Sequence, residues 1–207
     1  MTFNHEQGRD IVLYARAVIE GNFKGHRPLV PDSLKGVFSE KRGVFVTMHK
    51  NHELRGCIGY PEPVLQLGLA VERAAVSSAL EDPRFRPVRA EEMDMVSVEV
   101  SVLTKPQLIE VKDPKEYLSK VKVGRDGLIA ERGMERGLLL PQVPVELNWD
   151  VEEFIQHTCA KAGLMPDEWT KKGFRLYSFS AQIFVEETPR GNIVERKIND
   201  HSPKAVV

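Results

Sequence analysis

A strict two-residue alternation over positions 96–103 restricts the fold of this chain more than any other feature of the sequence. Valine occupies every second position, and the intervening residues are Ser97, Glu99, Ser101 and Leu103. Because successive side chains of a strand point to opposite faces of its sheet, the pattern predicts a β-strand with one apolar face. The other face carries Glu99 and Ser101. It is either a solvent-exposed surface or part of a site, and the burial of Glu99 distinguishes the two.

The remaining strands are predicted in antiparallel pairs. Alternating segments at 44–49 and 54–59 flank one turn, and segments at 128–132 and 137–140 flank another. A longer alternation runs over 174–187. Because hairpins outnumber regular strand-helix-strand units, the predicted fold class is α+β, an antiparallel sheet with packed helices.

Helices are predicted where apolar residues recur every three or four positions. They cover 4–20 with a stop at Gly21, a small-residue stripe at 64–79 after Pro63, and a segment that begins at Asp150, with Glu153 completing a capping box. A short helix is also expected from 113 to 121, and the polar tail after 187 is expected to be loose.

The segment 113–173 contains its own hairpin and helices. It is therefore predicted to form a smaller α+β domain, inserted into a larger α+β domain made of residues 1–112 and 174–207.

Composition excludes several broad classes of protein. The 207 residues carry a net charge of −1, which disfavours general nucleic-acid binding. No apolar run reaches the roughly 18 residues that a membrane span needs, and the first residues lack signal-peptide features, so a cytoplasmic location is expected. The histidines and the two cysteines show no zinc-ligand spacing. No metal site is predicted, and neither a cofactor nor an oligomeric state is identified.

The best candidate site is the segment Leu-Arg-Gly-Cys-Ile-Gly at 54–59. Alternation places Arg55, Cys57 and Gly59 on one face of a strand. A guanidinium beside a thiol favours the thiolate and lowers its pKa below about 8.5, and Gly56 and Gly59 could allow a ligand to approach closely. The same pattern also fits a buried structural cysteine whose neighbouring glycines relieve crowding under a helix.

A catalytic base for Cys57 is not evident. If His49 pairs with Leu54 across the turn, Cys57 lies opposite Val46, and His49 points to the other face; a one-residue shift in register would reverse this. His157 is predicted to face solvent.

Three arginines follow the helix break at Asp82–Pro83. Arg84, Arg86 and Arg89 could hold a carboxylate or phosphate through bidentate contacts, or they could form a solvated rim.

The 54–59 segment matches, without a departure, the six-residue signature of the AMMECR domain family. Other segments that resemble the family, in the same order, are 82–85, 99–103, 140–143, Trp149 and 161–164. The sequence at 137–140, with no hydroxyl at position 138, resembles archaeal members. The resemblance implies a two-domain α+β protein with the Cys57 segment near the cleft between domains. It implies no established reaction, and the coupling of some relatives to Memo-like and radical S-adenosylmethionine proteins implies a partner by analogy.

Two functional hypotheses follow. In the first, the protein is an enzyme or enzyme component in which Cys57 acts as a thiolate on a small molecule. In the second, it is a non-catalytic binding or adaptor protein, and the same cleft receives a partner protein. The candidate binding residues in either case are Arg55, Gly56, Gly59, Arg84, Glu99 and Ser101.

Overall fold

The computed structural model of this protein describes residues 2–198. The chain forms two compact units. The larger consists of the chain up to Leu103 together with the part from Gln182 onward, and the smaller is Thr104–Ala181. The smaller unit is longer at both ends than the predicted 113–173, because strands on either side of that segment pair with each other.

The strands, in chain order, are β1 Val44–Lys50, β2 Glu53–Tyr60, β3 Val96–Leu103, β4 Gln107–Leu108, β5 Gly127–Arg132, β6 Glu135–Leu139, β7 Arg175–Phe179, β8 Ala181–Glu186 and β9 Ile193–Arg196. The α-helices are α1 His5–Lys24, α2 Asp32–Phe38, α3 Leu67–Leu80, α4 Tyr117–Lys120, α5 Gln142–Glu146 and α6 Val151–Lys161. Short 3-10 helices cover Ala90–Met95, Pro114–Glu116 and Pro166–Thr170.

The larger unit is built on a five-stranded sheet with the order β2-β1-β3-β8-β9. β1 pairs with both β2 and β3 in antiparallel register. The alternating valines of β1 and β3 are buried on one face in a core shared with α1 and α3. The opposite face of β1 and β3 carries Thr47, Glu99 and Ser101, all of which are buried. The sheet confirms the predicted α+β class.

Helix α1 starts and ends where its capping groups are. The Asn4 side chain accepts the backbone N–H of Gln7, and the Gln7 side chain accepts that of Asn4 in return, which makes a capping box. Gly25 ends the helix in the left-handed conformation with φ of 69°. The predicted stop at Gly21 is wrong. A Cβ atom at Gly21 would lie 2.5 Å from the backbone oxygen of His26, so this glycine allows close packing instead.

The smaller unit has a four-stranded sheet with the order β4-β7-β5-β6. Helix α6 packs on β5 and β6, and its predicted capping box is present, with Asp150 and Glu153 each accepting the other's backbone N–H. Phe154, Ile155 and Cys159 of α6 are fully buried in the core of this unit. Cys159 is therefore a core residue of the smaller unit.

Two predictions near the end of the chain are wrong. The single strand predicted over 174–187 is interrupted at Ser180, and its two halves belong to different sheets. Thr104 holds this break, because its N–H donates to the Ser180 carbonyl and its hydroxyl accepts the Ser180 N–H. The tail, expected to be loose, forms β9 at Ile193–Arg196; its last part, 199–207, lies outside the described residues.

Candidate functional site

The 54–59 segment lies within β2, an edge strand of the larger sheet. Leu54 pairs with His49 as predicted, but a bulge between Met48 and His49 shifts the register beyond that point. Cys57 therefore lies opposite Thr47, not Val46. Since side chains alternate along β1, His49 shares the face of Thr47 and of Cys57. The prediction that His49 and the thiol occupy opposite faces is wrong.

A row of three polar side chains crosses the sheet at this position. Thr47 faces Cys57 on one side and Glu99 of β3 on the other. The Thr47 hydroxyl donates to the Cys57 Sγ at 3.2 Å. Glu99 is only 4 % exposed, which excludes the solvent-facing interpretation of the polar face of β3.

The Cys57 thiol is held in its neutral form. Burial, the largest influence, raises its pKa above the ordinary value, and the charges of Glu99 and Asp82 raise it further. The hydrogen bond from Thr47 and the charge of Arg84 act in the opposite direction but do not compensate. The predicted low pKa of Cys57 is therefore wrong, because burial and the two carboxylates outweigh the Thr47 hydrogen bond and the charge of Arg84.

Arg55 does not act on the thiol. Its Nε and Nη2 atoms donate to the two carboxylate oxygens of Glu92 at 3.3 and 3.2 Å, and its Nη1 donates to the carbonyl of Arg86 at 2.9 Å. Lys50 donates to the same Glu92 carboxylate at 3.1 Å. Glu92 consequently orients the Arg55 side chain toward the segment 86–92. The alternation of side chains along β2 does not predict this orientation.

Asp82 and Arg84 together hold the peptide groups of Cys57. The Cys57 N–H donates to Asp82 Oδ2 at 2.8 Å, and Arg84 Nη2 donates to the Cys57 carbonyl at 3.3 Å. Arg84 also contacts both Asp82 carboxylate oxygens, through Nε at 3.1 Å and Nη2 at 3.0 Å. Burial alone would raise the pKa of Asp82, but the hydrogen bonds from Arg84 and from the Cys57 N–H outweigh it, and the pKa is lowered. The backbone N–H and carbonyl of Cys57, on an edge strand, are thereby satisfied.

The two glycines of the segment make room for the protein itself. A Cβ atom at Gly56 would lie 2.2 Å from the Ser78 backbone oxygen of α3, and one at Gly59 would lie 2.3 Å from the Phe45 ring. The space beside each glycine is thus occupied. The prediction that Gly56 and Gly59 leave room for a small substrate is wrong, and the alternative of relieved crowding under the helix holds for Gly56.

Glu99 forms an ion pair that sequence reasoning missed. Arg196 Nη1 of β9 lies 2.8 Å from Glu99 Oε2, so the expected loose tail supplies the partner of a buried carboxylate. Ser101 is buried opposite Phe45. Both Glu99 and Ser101 are therefore interior groups.

His49, on the same face, has a lowered pKa. Burial, followed by the charges of Arg196 and His52, lowers the pKa of His49 to about 4.

An open groove of ≈ 980 Å³ lies along the segment that Arg55 contacts. Its lining residues are Lys50, Arg55, Arg86, Pro87, Val88, Arg89, Glu91, Glu92 and Met95. Cys57 is not one of them. Two of the three arginines noted after Asp82–Pro83 line this groove, whereas Arg84 is directed to Asp82 and Cys57.

The smaller unit has a cavity of its own, of ≈ 590 Å³. Its floor includes the buried rings of Tyr117, Trp169 and Phe174, and no predicted site residue lines it.

Within residues 2–198, no group of three His, Cys, Asp or Glu side chains is arranged to hold a metal ion. No helix in the same range is long and apolar enough to cross a membrane.

Comparisons with known proteins identify the family. The AMMECR1 family model matches residues 12–184. Protein MJ0810 of Methanocaldococcus jannaschii is 57 % identical over 195 residues, which cover 93 % of this chain and 96 % of that protein. Protein PYRAB00100 of Pyrococcus abyssi is 50 % identical over 93 % of this chain and 97 % of its own.

A solved structure agrees with this assignment. The crystal structure of protein PH0010 from Pyrococcus horikoshii matches with a TM-score of 0.83 at 50 % sequence identity, and the match covers 94 % of this chain and 98 % of that one. The family model includes the 54–59 segment and its contacts, and the relatives match more than nine-tenths of the chain. This protein therefore belongs to the AMMECR1 family.

Proposed function

We propose that this protein is a non-catalytic binding or adaptor protein in which Cys57 has a packing role. The observation that supports this best is the environment of the thiol. Burial and two carboxylates raise its pKa, whereas a nucleophilic cysteine is activated by a lowered pKa or by an adjacent general base. Its N–H and carbonyl are both bound by Asp82 and Arg84, so Cys57 serves to join β2 to the segment that follows α3.

The available histidine does not alter this proposal. His49 shares the face of Cys57, but its pKa is about 4. General bases work best with a pKa near the working pH. A histidine that is this weakly basic is poorly matched to a thiol whose own pKa is raised, so a cysteine–histidine pair is not supported.

The partner in this proposal is another protein. Memo-like and radical S-adenosylmethionine proteins are the partners that the family resemblance suggests. Of the predicted binding residues, Arg55 lines the open groove and Arg84 has a side chain that is 43 % exposed. These two are the proposed contacts, since Glu99 and Ser101 are buried.

The test is the pH dependence of iodoacetamide labelling at Cys57, read by mass spectrometry of the native protein. Cys159 is fully buried, so its labelling in the same samples reports unfolding. We expect slow labelling with an apparent pKa above the free-thiol value of about 8.5. Rapid labelling with an apparent pKa below that value would contradict the proposal.

One observation favours an enzyme as a second candidate. The Thr47 hydroxyl donates to the Cys57 sulfur at 3.2 Å, and such a bond stabilises a thiolate. If Cys57 is a nucleophile, Thr47→Val should raise its labelling pKa and slow its labelling at neutral pH. Because Thr47→Val removes a bond that lowers the pKa of the thiol in either case, the unchanged protein decides: rapid labelling at neutral pH that the substitution slows supports a nucleophile, and labelling that is already slow before the substitution supports a packing residue.

A further inference from the structure

We propose that the groove beside β2 binds an acidic, extended segment of a partner protein, with its carboxylates on Arg86 and Arg89 and an apolar side chain against Met95. This inference rests on the proposed binding function and assigns the chemistry of the partner. It concerns the surface lined by Lys50, Arg55 and residues 86–95, which is called the basic groove below.

The charge of the basic groove is opposite to that of the chain as a whole. Its lining contains the four cations Lys50, Arg55, Arg86 and Arg89 against the two carboxylates Glu91 and Glu92, which gives 4 − 2 = +2. The whole chain carries −1. A local surplus of positive charge in a concave surface attracts anionic ligands and accelerates their association.

Part of this surplus positive charge lies on partly buried side chains. Lys50 and Arg55 both contact Glu92, and the three side chains are 30 %, 15 % and 19 % exposed respectively. Two cations therefore share one carboxylate, and this half-buried group retains one positive charge. Charges act more strongly where solvent screening is reduced, so the Lys50–Glu92–Arg55 group forms a positive wall of the basic groove.

The two exposed arginines are placed on a stretch of backbone that is held at fixed points. The Arg86 carbonyl accepts Arg55 Nη1 at 2.9 Å, and the Val88 N–H donates to the Ala79 carbonyl at 2.8 Å. Neither the Arg86 nor the Arg89 guanidinium has a carboxylate partner within residues 2–198. Because Arg86 and Arg89 are three positions apart on an irregular segment, their Cα atoms can be up to about 10 Å apart.

The shape of the groove favours a peptide over a small anion. An isolated phosphate or carboxylate needs a few convergent donors, whereas this groove is open, measures ≈ 980 Å³ and includes apolar surface. Pro87 lies between the two arginines, and Met95, whose side chain is 48 % exposed, lies at the end of the neighbouring 3-10 helix. Methionine is an adaptable contact for an apolar side chain. Acidic residues flanking an apolar one complement this arrangement.

The test uses fluorescence anisotropy with a fluorescein-labelled peptide of alternating glutamate and leucine. The full chain is compared with the double variant Arg86→Glu/Arg89→Glu. The matched control is Arg9→Glu/Arg73→Glu, which changes the net charge equally at exposed positions of α1 and α3 outside the groove. We expect the groove variant to bind at least about tenfold more weakly, which corresponds to about 1.4 kcal/mol, and the control to bind within about twofold of the unchanged protein.

Three results would overturn the inference. The first is the absence of peptide binding, and the second is an equal loss in both double variants, which would indicate general electrostatic attraction. The third is displacement of the peptide by inorganic phosphate at concentrations similar to the peptide's own, which would indicate a small-anion site. These failures are distinguishable from failure of the proposed function, because the latter is read from the labelling pKa of Cys57.

Discussion

Asp82 Oδ2 accepts the backbone N–H of Cys57 at 2.8 Å, although the two residues lie 25 positions apart in the sequence. The carboxylate is buried, and Arg84 bridges from it to the Cys57 carbonyl. Helix α3 lies between Cys57 and Asp82 in the chain, so this contact attaches the end of the helix to the edge strand.

Replacement of Asp82 by alanine should destabilise the larger unit. It leaves the Cys57 N–H without its acceptor and removes the carboxylate that orients Arg84, and a buried backbone donor without a partner costs about 1–3 kcal/mol. Urea unfolding at neutral pH measures the change. Asp32→Ala is the control, since Asp32 is 92 % exposed in a surface pair with Lys35 and should change stability by less than about 0.5 kcal/mol. An equal effect of both variants would argue against the attachment.

Replacement of Gly56 by alanine should also destabilise. The new Cβ atom would lie 2.2 Å from the Ser78 backbone oxygen, so α3 would have to move, and overpacking of this kind costs about 1–3 kcal/mol. Gly36→Ala is the opposite case, because it lies within α2 with nothing within 4 Å of its Cβ position. It should stabilise by about 0.5–1 kcal/mol through helix propensity. Thermal unfolding of the two variants should therefore shift in opposite directions.

His49 should make stability fall between neutral and mildly acidic pH. Its pKa is about 4 in the folded protein against 6.5 in the unfolded chain, so the unfolded state binds the proton more readily in this interval. Its contribution to stability is complete above pH 6.5, declines as the pH falls toward about 4, and does not change further below that. His49→Gln should flatten this part of the stability profile. His5→Gln, at an exposed position, should leave it unchanged.

Glu92 should make the stability of the protein depend on pH in a lower range than His49 does. Its hydrogen bonds with Arg55, the largest influence, and those with Lys50 and the Arg89 N–H overcome the effect of burial and lower its pKa from 4.5 to about 2. Its contribution is complete above pH 4.5 and is lost as the pH falls from there toward about 2. Denaturant unfolding at pH 5 and pH 3 should show a smaller difference for Glu92→Gln than for the unchanged protein or for Glu81→Gln. A profile that Glu92→Gln leaves unaltered would disprove the role of the shared carboxylate.

Patterns within a single element predicted much of the fold. The alternation at 96–103 gave β3 correctly, and Asp150 with Glu153 gave the start of α6, because strand faces and helix caps depend on residues a few positions apart. The segment 174–187 shows the limit of this reasoning. The period continues across Ser180, but a contact with Thr104 separates the strands there. Local period alone does not show which sheet a strand joins.

The alternation at 54–59 predicts strand β2 correctly, but it does not predict the contacts of that strand. A bulge between Met48 and His49 placed Thr47 beside the thiol, and Glu92 drew Arg55 away from it. Both effects depend on residues from other elements. A register error of one residue is enough to exchange the two faces of a strand, and no spacing within 54–59 carries that information.

Residue order over short stretches is enough to predict the α+β class, the hairpins, the cap of α6 and membership of the AMMECR1 family. The ionisation of Cys57, the orientation of Arg55 and the ion pair between Glu99 and Arg196 follow only from the folded arrangement of distant segments. The reason is physical. A pKa and a side-chain direction follow from burial and from charges a few ångströms away, and the residues that supply them here come from β1, β3, β9 and the segments after α3.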